Sequence, residues 1–175
     1  MIMNTPNINI IDNFVENPNQ LFSYLKESVI WDERMKARKT ASFGVSYDYS
    51  GMAYPETEMP NHLESICNAI HHTIGFQPNN CLMNYYLDGK SSMGYHSDSS
   101  EELLPNTGVV IISLGTERHI SYREKSHTEN KVKYQLKNGS LLYMNDDVQK
   151  RWMHAIPKSP ESGERISLTF RHIIK

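Results

Sequence analysis

The chain has 175 residues, 38% of them hydrophobic and 22% charged, which suits one soluble globular domain spanning 1–175 rather than two. A net charge of −2 argues against tight duplex binding by phosphate neutralisation and leaves short single strands and small molecules open. No apolar run approaches the roughly 18 residues of a membrane span, residues 1–11 lack a secretory leader pattern, and the two cysteines, Cys67 and Cys81, form neither a disulfide framework nor a zinc motif. The simple expectation is a cytoplasmic monomer with no membrane association.

In chain order, Asn17 and Pro18 read as a helix start, and Leu21, Tyr24, Leu25 and Val29 recur at helical spacing, predicting a helix over 18–29. A basic cluster follows at Arg34, Lys36, Arg38 and Lys39. Residues 34–60, with Gly44, Gly51, Pro55 and Pro60 among aromatics, read as hairpin and loop. A second helix follows Pro60, with Leu63, Ile66, Cys67, Ile70 and Ile74 on one stripe and Gly75 as its stop; Cys67 is therefore a core residue. From Cys81 onward, short runs rich in β-branched and aromatic residues alternate with turn signals, at 81–87, 108–114, 118–123, 132–136, 140–144, 151–156 and 164–173. The pattern predicts an α+β chain, mainly β: an antiparallel sandwich or barrel with the two helices of the N-terminal half packed outside it.

Two features carry chemistry. His96 and Asp98 form an H-x-D pair, and residues two apart on an extended segment point the same way, so both reach one metal ion. His154, on a strand-like segment with Trp152 and Ile156 on its face, is the candidate third ligand. Two histidines and a carboxylate on one face of an octahedral ion are the ligand set of Fe(II) oxygenases, although zinc also accepts two nitrogens and an oxygen. The second feature is Arg165-Ile-Ser-Leu-Thr-Phe-Arg171. Arg165, Ser167, Thr169 and Arg171 share one face, Ile166, Leu168 and Phe170 the other. The polar face meets either solvent or an interior cavity; in a cavity, two arginines with backbones roughly 20 Å apart suit the ends of a short dicarboxylate.

From Arg38 to the C-terminus the chain resembles the AlkB-like Fe(II)/2-oxoglutarate dioxygenases. The resemblance rests on Arg38-Lys-Thr-Ala41, Gly44, Tyr47-x-Tyr-Ser-Gly51, Asn84-Tyr-Tyr86, Asp88-Gly89, Gly94-Tyr-His96-Ser-Asp98, Ser113-Leu-Gly115, Arg118, Arg123, Gly139-Ser-Leu-Leu142 with Met144, Trp152-x-His154 and the closing arginine strand, all in order. It implies a double-stranded β-helix (jelly roll), with 34–60 as a substrate-side hairpin or lid. It also implies Fe(II) on His96, Asp98 and His154, with 2-oxoglutarate and O2 as cosubstrates. Arg165 would take the distal carboxylate, supported by Tyr86, with Arg171 and Asn84 near the chelating end and Ser167 and Thr169 between. Ser167 stands where the family commonly has Asn. Retention of Asp98 disfavours a halogenase, which needs that position vacant.

The implied chemistry is decarboxylation of 2-oxoglutarate to succinate and CO2 with hydroxylation of a substrate C–H bond; on an N-methyl group, the product releases formaldehyde. The implied substrates are N-alkylated bases in single-stranded DNA or RNA, with Arg38, Tyr47, Tyr49 and Ser100 as substrate-side residues and the Arg34–Lys39 cluster on phosphates. Phe43 reads equally as stacking surface or hairpin core. After H-x-D the family's nucleobase enzymes carry acidic residues; here Ser99 and Ser100 stand, with Glu101 and Glu102 following. That departure keeps a second reading open, an AlkB-like oxygenase acting on a small molecule or a protein side chain. A catalytically silent binding module is a third, against which the intact ligand set and both arginines stand.

Overall fold

A computed structural model describes residues 3–49 and 51–174, with the side chain of Tyr49 outside the described set. Its elements are β1 (Ile8–Ile11), α1 (Pro18–Ser28), β2 (Lys39–Gly44), β3 (Tyr47–Tyr49), β4 (Met52–Tyr54), α2 (Asn61–Ile74), β5 (Asn80–Tyr86), β6 (Met93–His96), β7 (Val109–Gly115), β8 (Arg118–Glu124), β9 (Lys131–Leu136), β10 (Leu141–Met144), α3 (Asp146–Arg151), β11 (Trp152–Ile156) and β12 (Arg165–Arg171). A major sheet has the order β1-β10-β7-β12-β5-β2 and a minor sheet the order β6-β11-β8-β9. Every pairing in both is antiparallel. The two sheets face each other as a jelly roll.

Both predicted helices form, on slightly different terms. Asn17 stands at the N-cap of α1 without a side-chain capping bond, so Pro18, preset for a first turn, is what marks the start. Gly75 ends α2 in the left-handed region at φ 106°, its N–H donating to the His71 carbonyl. Leu63, Cys67 and Ile70 are fully buried on the α2 stripe. Burial pushes the Cys67 thiol up to about 12, so it remains an inert core group.

The closing strand sets the layers. Ile166, Leu168 and Phe170 pack with Leu25 of α1 and Leu63, Cys67 and Ile70 of α2 in one hydrophobic cluster. The other face of the major sheet meets the minor sheet, where Tyr86, Val109, Ile111, Leu142 and Met144 pack against Ile120, Tyr122, Trp152 and Ile156. Strands β5 and β12 are thus covered on both faces and buried at every residue.

Three short elements were not legible from the pattern: β1, β6 and α3. The first is a four-residue edge strand paired with β10. The second is interrupted by Gly94, and the third is six polar-rich residues started by Asn145, whose Oδ1 accepts from the Val148 N–H at 3.1 Å. Within 34–60, β2 joins the major sheet as its edge and β3 and β4 form a separate hairpin. Among the described residues, no helix is long and apolar enough to cross a membrane.

Leu168 has no exposed surface and is held between helices and sheet. Leu168→Ala is expected to cost about 2–5 kcal/mol by cavity formation, read as a lower denaturant midpoint at unchanged slope. A cost below about 1 kcal/mol would contradict this packing.

Candidate metal centre and cosubstrate pocket

Strand pairing places His154 of β11 directly opposite His96 of β6, with ring centroids 4.3 Å apart. Asp98 follows two residues after His96, just past the end of β6, and its backbone N–H donates to Oε1 of Gln149 on α3 at 2.9 Å. The Nδ1 of His96 lies 2.8 Å from the Gly94 carbonyl, which fixes the ring and leaves Nε2 facing Asp98 Oδ1 at 3.7 Å. One ligand atom from each of His96, Asp98 and His154 lies within 4.8 Å of the other two.

The charge states suit a metal. Burial, against the opposing pull of Asp98 and with Arg171 nearby, lowers the His154 pKa to about 4, so its imidazole is neutral and carries a free lone pair at neutral pH. Burial alone would raise the Asp98 pKa, but Arg171 and the two imidazoles outweigh it and hold the carboxyl below its ordinary range. Arg171 Nη2 stands 3.2 Å from Asp98 Oδ2, and both side chains are buried. A neutral nitrogen and an ionised oxygen in a dry site fit a divalent ion.

The polar face of β12 opens into the space between the sheets, so the interior alternative holds and the solvent alternative does not. Arg165, Ser167, Thr169 and Arg171 line one cavity with His96, Asp98 and His154, joined there by Asn84 and Tyr86. Arg165 is 1% exposed; its Nη2 donates to Ser113 Oγ at 2.9 Å, and its Nε and Nη1 are buried with no hydrogen-bond partner. Burial lowers its pKa from the ordinary value, partly offset by Tyr86, whose ring centroid lies 5.0 Å from the guanidinium carbon. Two dry, unpartnered N–H donors on a fixed guanidinium are complementary to a carboxylate.

A larger cleft of about 640 Å³ lies at the mouth of the metal centre, lined by Met35, Arg38, Tyr47, Met52, Tyr95 and Ser99 among others. Tyr47 is buried, its ring centroid 4.7 Å from the Arg171 guanidinium. Arg38 is turned inward, with Nε donating to Asn84 Oδ1 at 2.8 Å and Nη1 to the Ser92 carbonyl at 3.0 Å. The side chain of Tyr49 lies outside the described residues. Ser100 does not line the cleft: it sits in a turn, its carbonyl accepting from Leu103, and Ser99 takes the cleft position. The expected phosphate cluster is largely neutralised, because Arg34 pairs with Asp32 at 2.5 Å and Lys39 with Glu33 at 2.9 Å. Phe43 packs against the helix-side core, which settles its reading as core.

Several contributors were not assigned roles from the sequence. Ser113 anchors Arg165, and Gln149 holds the Asp98 backbone. Arg118, 1% exposed, donates to the carbonyls of Ser91 at 2.8 Å and Pro157 at 2.7 Å, and its guanidinium carbon lies 5.4 Å from the Tyr86 ring centroid. The available signal for Arg118 was its place in alternation with Ile120 and Tyr122 on one strand; the other two depend on distant pairings.

The sequence profile of the 2OG-Fe(II) oxygenase superfamily matches residues 12–171. The chain is an AlkB-like member of this superfamily. It is 32% identical over 143 residues to uncharacterised protein R406 of Acanthamoeba polyphaga mimivirus, covering 81% of this chain and 74% of that one. It is 31% identical over 148 residues to the mouse DNA oxidative demethylase ALKBH2, covering 78% of this chain and 62% of that one. It is also 31% identical over 169 residues to the rat alpha-ketoglutarate-dependent dioxygenase alkB homolog 3, covering 85% and 57% respectively. The chain therefore spans about three fifths of the length of these two animal relatives. The solved structure of OsALKBH1 superposes with a TM-score of 0.71 at 17% identity, covering 96% of this chain and 99% of that one, which shows the shared fold. Membership implies Fe(II), 2-oxoglutarate and O2, and the residues above fit both the ion and the dicarboxylate.

Two substitutions separate the parts of this centre. His154→Ala is expected to abolish stoichiometric Fe(II) or Co(II) binding, whereas Gln149→Ala, acting through the Asp98 backbone, should weaken it about 10-fold. Metal titration followed by absorption reads both, and undiminished affinity in Gln149→Ala would remove Gln149 from the support of the site.

Proposed function

We propose that this protein is an Fe(II)- and 2-oxoglutarate-dependent dioxygenase that oxidatively demethylates N-alkylated nucleobases in single-stranded DNA or RNA. The observation that carries the reading is the joint cavity: His96, Asp98 and His154 at one end, the unpartnered donors of Arg165 at the other, and an open cleft beside the ligands. Similarity to an enzyme named DNA oxidative demethylase supports the substrate class.

The bound ion and cosubstrate would supply the oxidising chemistry at His96, Asp98 and His154. This chain's residues position it. Arg165, steadied by Ser113 and flanked by the Tyr86 ring, would hold the distal carboxylate of 2-oxoglutarate through its two free donors. Arg171, whose guanidinium sits between Asp98 and the Tyr47 ring, would keep the carboxylate ligand ionised and place the chelating end, with Asn84 held beside it by Arg38. Ser167 and Thr169, between the two arginines, line the path of the dicarboxylate. Tyr47 and Arg38 would then form the wall met by the substrate base, with Ser99 lining the same cleft. Hydroxylation of the N-methyl carbon gives a hemiaminal that expels formaldehyde and restores the base.

Incubation with Fe(II), ascorbate, 2-oxoglutarate and single-stranded oligonucleotides carrying 1-methyladenine or 3-methylcytosine should yield succinate and formaldehyde in equal amounts with the repaired base. Succinate release with no repair on either strand would exclude the nucleobase reading and favour the small-molecule alternative, for which Ser99 in place of an acid is the structural motive. Arg165→Ala removes two charge-assisted bonds, each worth about 1.5–3 kcal/mol. It should raise the 2-oxoglutarate KM at least about 100-fold, and an unchanged KM would refute the assignment.

A further inference from the structure

Of the basic residues at 34–39, Arg34 and Lys39 are ion-paired and Arg38 is buried, which leaves Lys36 as the exposed cation there, and a larger basic surface lies on the minor sheet. Strand alternation aims Tyr95 of β6, Ser121 and Arg123 of β8, Lys131 and Lys133 of β9, and Ala155 of β11 to the outer face of the minor sheet, away from the metal. Ala155 is small enough for the Tyr95 side chain to lie across β11 and reach Ser121, with the two hydroxyls 2.6 Å apart. Arg123 caps that ring at 4.2 Å from its centroid, and Lys131 stands at 6.0 Å. The result is a groove of about 400 Å³ whose rim carries Lys131, Lys133 and Lys158.

This groove adjoins the cleft, for Met93, Gly94 and Tyr95 line both. Gly94 forms the divide; it is exposed, and even an added Cβ would meet nothing within 4 Å, so no side chain rises between the two. The charges are also uncompensated. Lys26, Arg34, Lys39, Lys137, Lys150 and Arg151 each have an acidic partner within 4.0 Å, whereas Lys131, Lys133, Lys158 and Arg123 have none among the described residues. Glu117, at the opposite end of the β8–β9 ladder, is hydrogen-bonded to Gln135.

We infer that the outer face of the minor sheet is the track for the sugar-phosphate backbone of a single strand whose target base occupies the cleft. The inference rests on the proposed nucleobase reading. Lys131 and Lys133, two apart on β9, stand about 7 Å from one another, with Arg123 beside the first and Ser121 beside the second in register. A row of separated, solvated cations leading away from the cleft matches a repeating anion chain, and such contacts add affinity without reading sequence.

The test is fluorescence anisotropy of a labelled, unmodified 12-nucleotide single strand, titrated across KCl concentrations. Against the parent protein, the triple variant Lys131→Gln, Lys133→Gln and Lys158→Gln should bind at least about 10-fold more weakly at low salt. Its slope of log affinity on log salt should be shallower by about 2, the value for three lost phosphate contacts. A control carrying Lys36→Gln and Lys39→Gln should keep the parent slope. An unchanged slope in the triple variant, loss confined to the control, or displacement of the strand by polyglutamate as effective as by unlabelled oligonucleotide would each overturn the inference. Because binding is read without a lesion, the two readings fail separately. Repair with an unaltered slope removes the track, and a slope lost in the triple variant without repair of any methylated strand removes the nucleobase reading alone.

Discussion

Burial of strand β12 on both faces is the constraint on which the rest of the molecule depends. One face carries three aliphatic or aromatic side chains into the helix layer; the other carries two guanidinium groups into the cavity between the sheets. A buried cation costs several kcal/mol unless it is paired, and the two arginines meet that demand differently. Arg171 has Asp98 beside it. Arg165 has Ser113 and the ring of Tyr86, which orient it and leave its Nε and Nη1 without a hydrogen-bond partner. Stability alone would favour an apolar residue at such a position, and the proposed hold on a dicarboxylate would account for the charge.

Register converts that demand into geometry. Arg165 lies opposite Tyr86 on β5 and Gly115 on β7, and Ser167 lies between Asn84 and Ser113. His154 lies opposite His96 across the facing sheet. A slip of one residue in either sheet would turn a whole row to the wrong face. The apolar clusters that hold each register are therefore as necessary to the site as the ligands, and Gln149 and Arg118 complete the frame by fixing the irregular segments around Asp98 and Ser91.

What was legible in the sequence was what a period shows. The alternation of β12, the stripe of α2 and the i, i+2 relation of His96 and Asp98 are local, and the structure arranges all three accordingly. What was not legible depended on partners far along the chain or on competing pairings. Strand β6 is too short and glycine-broken to announce itself, yet it carries His96. Arg38 looked like a surface cation but bonds to Asn84 and Ser92, 46 and 54 residues away. The pairing of Arg34 had a local signal in the neighbouring Asp32, which outweighs the impression of a basic cluster.

Arg38 also shows why cleft and cosubstrate pocket cannot be treated as separate parts. Its Nε bonds to Asn84, whose side chain lines the cosubstrate cavity, and its Nη1 bonds to the segment leading into β6 and His96. Arg171 makes a second bridge, touching the ligand Asp98 on one side and the cleft residue Tyr47 on the other. On the proposed reading, a base pressed against Tyr47 would bear on the same guanidinium that holds Asp98 ionised. Substrate contact and ligand charge would then share one side chain, and the cleft wall would act on the metal centre without any substrate atom reaching a ligand.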